Sequence, residues 1–507
     1  MSAHKQPTAD LIVLGAGPAG VAAAVTAARC GLATTLIDDG VEAGGQIYRA
    51  PPRAWRRNAS ADPGPDFAAG EAMRAQLADS GVQHLPGHAV WSVAPGFEVR
   101  MVAADGEKGV VAPKLLVATG VTERIFPFPG WTTPGVSGLA AATRLLKTQQ
   151  ILPGQRTLVA GAGPLVYAVA ASIIAGGGRV AAIADLGRRA EWLAALPALA
   201  TSPALLGRGV AWRMRLLLAG VPVFHGHHVA QVHGDSGVTA AEIAAVAADG
   251  TPLCATPARR FEVDSVVVGH GLVPSADITR LLRARHRFAP ERGGWVVERD
   301  AHFRTSVAGL YAAGDCTGMA GGEAAALSGG IAGLAAAHDA GRLTREDLDR
   351  QAAPLLQRYA HADRLGSRMA RLMAARPGLL AAISADTIVC RCEDITRGML
   401  DAALDAGAGD CNELKAWTRC GMGPCQGRTC GEATAELLAR RLGSRELAGH
   451  WTARVPLRPQ AIEQLAPTCS YDEIWNSPAG RIASAILPAE NTRHMQGSAN
   501  AADRDHA

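Results

Sequence analysis

Short apolar-rich runs punctuate the first two thirds of the chain, at residues 11–14, 33–37, 156–160, 179–184, 263–268 and 309–313. Most run into glycine or aspartate. Runs of this length predict strands buried on both faces, as in parallel sheets. An Ala/Val-rich stretch of helical length follows the first, so the leading pattern is strand, turn, helix, strand. Beyond Gly321 the pattern becomes helical. A Gly/Ala-rich helix is followed by an Arg-rich helical stretch over 343–385. Residues 386–390 read as extended, helices are predicted over 396–408 and 431–442, and another apolar stretch begins at 413. Residues 451–459 are rich in Pro and Arg and read as extended. The polar end from 488 has too few apolar residues to pack and reads as disordered.

The turn after the first strand carries Gly15-Ala16-Gly17-Pro18-Ala19-Gly20. In such a turn the first glycine permits the tight bend, the second lets a pyrophosphate approach, and the third lets helix and strand pack closely. Phosphate then lies at a helix N-terminus, where free N–H groups and the helix dipole favour an anion. The second strand ends at Asp38, placed for a ribose hydroxyl. The bland alternative, a Gly-rich packing turn, does not explain the order of strand, glycines, helix, strand and acid. The pattern recurs as Gly161-Ala162-Gly163-Pro164-Leu165-Val166, with a strand ending at Asp185, but Val166 replaces the third glycine. A fold without ligand and an adenine-nucleotide site both remain open for this copy.

Composition narrows the compartment more than the fold. The 507 residues fit about three domains, and a net charge of +4 with both signs interspersed gives no nucleic-acid footprint. The N-terminus lacks the apolar stretch of a signal peptide, and no run reaches membrane-spanning length. A cytoplasmic location is the expectation. In a reducing compartment, clustered cysteines are more often ligands than disulfides. Six of the ten cysteines fall between Cys390 and Cys430. Cys390 and Cys392 form one close pair, Cys425 and Cys430 another, and two such pairs can chelate an iron–sulfur cluster or a structural zinc. Cys411 reads as a core residue. Neither nucleotide fold contains Cys-x-x-Cys, so a disulfide relay is not expected. Cys316 reads as a small packed residue and His270 as a satisfied core histidine.

Val117-Ala118-Thr119-Gly120 before the second copy and Ala313-Gly314-Asp315 after it resemble the markers of flavoproteins with two nested dinucleotide-binding folds. That resemblance implies FAD in the first fold, with Asp38 on the adenosine ribose and Asp315 on the ribityl chain. Gly44-Gly45-Gln46, the stretch from Thr119 to Trp131, and the C-terminal cysteines are similar to the α (A) subunits of opine, proline and hydroxyproline dehydrogenases. The B subunit of hydrogen cyanide synthase is a further relative. Residues 387–443 resemble the [2Fe–2S] domain of bacterioferritin-associated ferredoxin, with Cys390, Cys392, Cys425 and Cys430 matching its ligands. There the second pair is usually separated by two residues; here four intervene, which leaves Cys420 as an alternative ligand.

The expected architecture is α/β: two nested Rossmann-like domains and a small helical [2Fe–2S] domain. The expected boundaries are 1–125 and 258–342 for FAD, 126–257 for the inserted fold, 343–385 for a helical linker, 386–443 for the cluster and 444–507 for the tail. The cofactor residues are Gly15, Gly17, Pro18, Ala19, Gly20, Asp38, Gly45, Gln46, Thr119, Gly120, Gly314 and Asp315. The resemblance implies a FAD- and [2Fe–2S]-containing subunit of a hetero-oligomeric dehydrogenase. A β subunit with its own flavin would oxidise the amino acid, imino acid or opine, and a small third subunit is a further partner. The alternatives are a self-contained NAD(P)H-dependent flavin reductase, a component of hydrogen cyanide synthase type acting on glycine, and an electron relay that touches no substrate.

Overall fold

The computed structural model describes residues 8–52, 65–253, 257–381 and 383–465. The chain divides into two units, Met1–Pro459 and Gln460–Ala507. Of the second, the described part holds one helical turn, Ile462–Leu465. The expected disordered end from 488 lies outside the described residues.

Two five-stranded parallel sheets organise the first unit. One has the order Leu310–Ala312, Leu115–Val117, Leu11–Leu14, Thr34–Ile37, Gln83–Leu85. The other has the order Val223–His225, Arg179–Asp185, Arg156–Gly161, Ser265–Gly269, Val136–Gly138. All four residues of Leu11–Leu14 and all five of Ser265–Gly269 are buried, as strands covered on both faces must be. Each fold also carries a three-stranded antiparallel meander. The folds are joined by one antiparallel pair, Val121–Glu123 with Leu272–Pro274.

The inserted fold therefore returns later than residue 258. Ser265–Gly269 hydrogen-bonds to Arg156–Gly161 and lies in the second sheet. The chain re-enters the first domain only at Leu272–Pro274. The physical reason is that a central parallel strand can sit anywhere in the sequence, and its apolar run does not say which sheet it joins.

The first sheet's helices pack through small residues. A Cβ on Gly329 would lie 1.9 Å from the Ala19 carbonyl oxygen, and one on Gly333 would lie 2.6 Å from that of Ala23. Helix Gly322–Asp339 thus approaches helix Pro18–Arg29 closely, and most of its residues are buried. Overpacking this seam by one methyl would cost about 1–3 kcal/mol. The Arg-rich stretch forms one long helix, Arg345–Leu372, whose N-terminus is capped by the Thr344 hydroxyl accepting from Asp347 N–H. It docks on the first domain through a two-pronged ion pair of Arg292 with Asp363, at 2.6 and 2.7 Å.

The cysteine module follows. It contains a strand Ile388–Cys390 and helices Arg397–Asp405, Cys411–Thr418 and Gly431–Leu442. Thr396 and Asp410 cap the first two helices with side-chain oxygens. None of the helices in the described residues is long and apolar enough to cross a membrane.

Candidate functional site: a dinucleotide cleft walled by a cysteine cluster

The first glycine turn is shaped by its own sequence. Gly15 has φ +102°, and a Cβ there would lie 2.4 Å from the Ala118 carbonyl oxygen. A Cβ on Gly20 would lie 1.7 Å from the Gly15 carbonyl oxygen, so Gly20 packs helix against strand and faces no ligand. Gly17 is different. Its Cβ direction is open, with only Gly45 Cα at 3.8 Å. Beyond it lies a cleft of about 680 Å³ lined by Gly15, Gly17, Pro18, Ala19, Asp38, Gly45, Gln46, Thr119, Gly120, Gly314 and Asp315. The structure thus brings every sequence-predicted cofactor residue except Gly20 to one cavity.

The two acids of the cleft are held but not used up. Asp38 accepts from the backbone N–H groups of Ala16 and Gly40. Asp315 accepts from Ala320 and Gly321 at 2.9 and 3.1 Å. Burial pushes both carboxyls above their usual range, against the pull of these backbone donors. Thr119 donates its hydroxyl to the Ser275 carbonyl at 2.8 Å, fixing the wall opposite. Arg49 also lines the cleft, and its Nε is buried with no partner. An orphaned guanidinium nitrogen beside a phosphate-shaped turn suits an anionic cofactor. Arg49 was not selected from the sequence, though it stands three residues after the Gly44-Gly45-Gln46 run that carried the resemblance. FAD fits this cleft.

The cysteine module forms part of the same wall. Pro424, Cys425 and Arg428 line the cleft. Arg428 donates to the Leu457 carbonyl at 2.8 Å and pairs with Asp277 at 3.1 Å. It ties the cysteine loop to the first domain and to the tail.

The thiols converge behind that wall. The sulfurs of Cys390, Cys420 and Cys430 lie within 4.8 Å of one another. Cys425 hydrogen-bonds to Cys430 and to Cys392. Among the described residues this close group of sulfurs therefore takes in Cys390 and Cys430 of the four sequence-predicted ligands together with Cys420, while Cys392 and Cys425 stand beside it, Cys425 linking the two. Cys411 is buried in the core, and its thiol is pushed up to about 12 by burial. In the cluster, thiol donors from Cys420 and Cys430 bring Cys390 down to about 2. Donation by Cys430 brings Cys425 down to about 4. Those same contacts raise Cys430 and Cys420, Cys420 to about 12. Thiols this close cannot all ionise against one another, and a cationic centre among them removes the conflict. Iron fits this donor set. Trp451 roofs the cysteine loops: Cβ atoms on Gly421 and Gly427 would lie 2.4 and 1.7 Å from its ring, and its Nε1 donates to the Cys411 carbonyl. The tail read only as extended thus supplies a lid that no local pattern announced.

Two other expectations find a place. Cys316 is buried, and its thiol donates to the Val117 and Ala313 carbonyls. His270 accepts from Phe126 N–H at 2.9 Å and stacks on the Phe126 ring, and burial drops it to about 3. It is a neutral core histidine.

The second glycine turn has the same order of strand, glycines and helix, but its second glycine has a different backbone conformation and different surroundings. Gly163 caps helix Pro164–Ala175 with φ +82°. A Cβ there would lie 2.3 Å from Cγ and 3.2 Å from Sδ of Met373. Val166 is fully buried among Val169, Ala170 and Val267. Asp185 is fully buried and accepts from Tyr167 Oη at 2.6 Å, Trp192 Nε1 at 2.8 Å and Gly187 N–H at 2.7 Å. Its oxygens are committed to the protein. A pyridine nucleotide does not fit this copy.

The sequence matches the pyridine nucleotide-disulphide oxidoreductase family over residues 9–341 and the BFD-like [2Fe–2S] binding domain over 388–440. It is 33% identical to the A subunit of opine oxidase from Rhizobium meliloti over 90% of this chain and 98% of that one. It is 31% identical to hydrogen cyanide synthase subunit HcnB of Pseudomonas aeruginosa, over 88% of this chain and 96% of that one. The crystal structure of L-proline dehydrogenase from P. horikoshii shares the fold, with a TM-score of 0.66 at 18% identity over 90% of this chain and 79% of that one. With a cleft that fits FAD and thiols that fit a [2Fe–2S] cluster, the chain belongs to the pyridine nucleotide-disulphide oxidoreductase family, as a flavin-dependent oxidoreductase of the kind found in opine oxidase and hydrogen cyanide synthase.

Proposed function

We propose that this chain is the electron-transfer subunit of a hetero-oligomeric dehydrogenase that oxidises an amino acid, imino acid or opine. Substrate oxidation would take place on a partner β subunit with its own flavin. The observation that carries this reading is the shared wall. Cys425 and its neighbours Pro424 and Arg428 line the cavity that holds the dinucleotide fingerprint. FAD exchanges electrons in twos or ones and a [2Fe–2S] cluster in ones, which is the chemistry needed between a two-electron oxidation and a one-electron acceptor.

The residues have separable roles. Gly17 leaves room for a pyrophosphate, Arg49 offers it a cation, and Asp38 and Asp315 offer acceptors to hydroxyl groups. Cys390, Cys392, Cys425 and Cys430 hold the metal centre, and Cys420, whose sulfur lies within 4.8 Å of those of Cys390 and Cys430 and bonds to the Thr434 hydroxyl, is the alternative ligand. Trp451 keeps water from the thiols. The hetero-oligomer is supported by the relatives, which are named as subunits. The free thiols suit a reducing compartment, which we take to be the cytoplasm.

Co-expression with the β subunit, followed by assays on opines, proline and glycine, tests the reading. The complex should turn over one of these classes, and the isolated chain none. Robust turnover by the isolated chain with an artificial dye would overturn the division of labour. Single Cys→Ser variants test the ligands. Cys390, Cys392, Cys425 and Cys430 variants should lose the cluster's visible absorption and keep FAD. Loss in Cys420→Ser with retention in Cys430→Ser would exchange those two roles.

A further inference from the structure

The second nucleotide fold already has an occupant, and it comes from the chain itself. Helix Arg345–Leu372 ends one residue before Met373. The Met373 side chain then lies against Gly163, the glycine at which a pyrophosphate would approach. The Met373 carbonyl lies equally close to Gly271, where a Cβ would be 2.2 Å from its oxygen. The next residues anchor the segment. Arg376 is buried, donates to the Ala248 carbonyl at 2.8 Å and pairs with Glu191 at 2.7 Å. Gly378 N–H donates to the Asp249 carbonyl, and the segment leads on to Ile388, whose carbonyl accepts from Trp131 Nε1. A segment fixed at both ends to the second fold is not a loose flap.

The ribose end of the same fold is closed independently. Asp185 spends its acceptors on Tyr167, Trp192 and Gly187. Opening the glycine turn alone would therefore restore only the phosphate half of a dinucleotide site.

We propose that Met373 is a specificity-determining residue that closes the second nucleotide fold to NADH and NADPH, its side chain standing where the pyrophosphate would approach Gly163. The inference goes beyond the electron-transfer reading and does not depend on which substrate the complex oxidises. It gives the fold a structural role, because the segment that fills the cradle also leads into the first cysteine pair.

The test uses the full chain with FAD and cluster in place. NADH and NADPH are titrated anaerobically by calorimetry and by the emission of Trp192, which sits on Asp185. The wild type should show no saturable binding below about 1 mM, the weak end of functional affinities. Met373→Gly and Met373→Ala should bind at least about tenfold more tightly, and Met373→Leu should stay closed. Saturable binding by the wild type overturns the proposal. So does the absence of any gain in both small variants while their flavin and cluster absorption is kept. Should the small variants lose those spectra, hydrogen exchange of residues 161–166 in the wild type decides. Unchanged protection with NADH upholds the closure, and added protection sinks it.

Discussion

The two nucleotide folds share a plan and differ in what stands in front of the second glycine. Before Gly17 there is a cleft of about 680 Å³. Before Gly163 there is the side chain of Met373. The acids diverge in the same way. Asp38 lines the open cleft and accepts two backbone donors. Asp185 is fully buried beneath Tyr167 and Trp192. A Gly-x-Gly motif builds a turn and a helix start. Whether the turn receives a ligand depends on what the rest of the chain lays across it.

The largest expected effect comes from exchanging the glycines for valine. Gly17 has extended backbone angles that any residue adopts, φ −74° and ψ −178°, so Gly17→Val should fold and fill the cradle. Purified protein should lack visible flavin absorbance while keeping its circular dichroism. Gly163→Val should do the reverse. The left-handed φ and the collision with Met373 should lower stability by about 1–3 kcal/mol in a urea melt, with FAD retained. Loss of FAD in both would erase the distinction between the folds.

The acids come next. Asp185→Ala leaves the Tyr167, Trp192 and Gly187 donors without their acceptor in the core. It should cost about 2–4 kcal/mol of unfolding free energy with the FAD dissociation constant unchanged. Asp38→Ala should weaken FAD by about 10- to 100-fold, the worth of a charge-assisted hydrogen bond, and alter the melt less.

A smaller, pH-dependent effect belongs to the seam between the folds. Glu123 ends the strand Val121–Glu123 and accepts from Ala140 N–H at the start of helix Leu139–Arg144. Burial pushes its carboxyl up to about 7. The native state then holds a proton that the unfolded chain, titrating near the ordinary value, has released. This contribution is present at pH 5 and is lost as pH rises to 7, by about 2 kcal/mol. Wild-type stability should fall over that interval relative to Glu123→Gln. Parallel pH profiles of the two proteins would remove Glu123 from the account.

Much of the first site was legible in the sequence because its determinants are local. Gly15, Gly17, Gly20 and Asp38 form one strand–turn–helix–strand unit, and the physics of that unit needs only neighbours. Two of the cysteine helices, Arg397–Asp405 and Gly431–Leu442, were legible for the same reason, whereas Cys411–Thr418, capped by Asp410, showed in the sequence only as an apolar stretch from 413. Arg49 was harder, because an arginine near a glycine turn is ordinary until its Nε is found buried. Trp451 and Met373 were not legible at all. Each acts on residues distant in the chain, Trp451 on Gly421 and Gly427 and Met373 on Gly163, and nothing in its own neighbourhood records that.

The sequence by itself determined that the chain has two dinucleotide turns, a flavin-type closing strand ending at Gly314-Asp315, and a set of thiols able to gather at one point. Those features follow from glycine's freedom at positive φ, from apolar runs that must be buried, and from close spacing of like ligands. Tertiary structure alone decided that Ser265–Gly269 joins the second sheet, that Cys425 stands in the wall of the first cleft, and that Met373 fills the second. The reason is physical: a cleft is the space left between elements, and only their packing settles which side chain, if any, fills it.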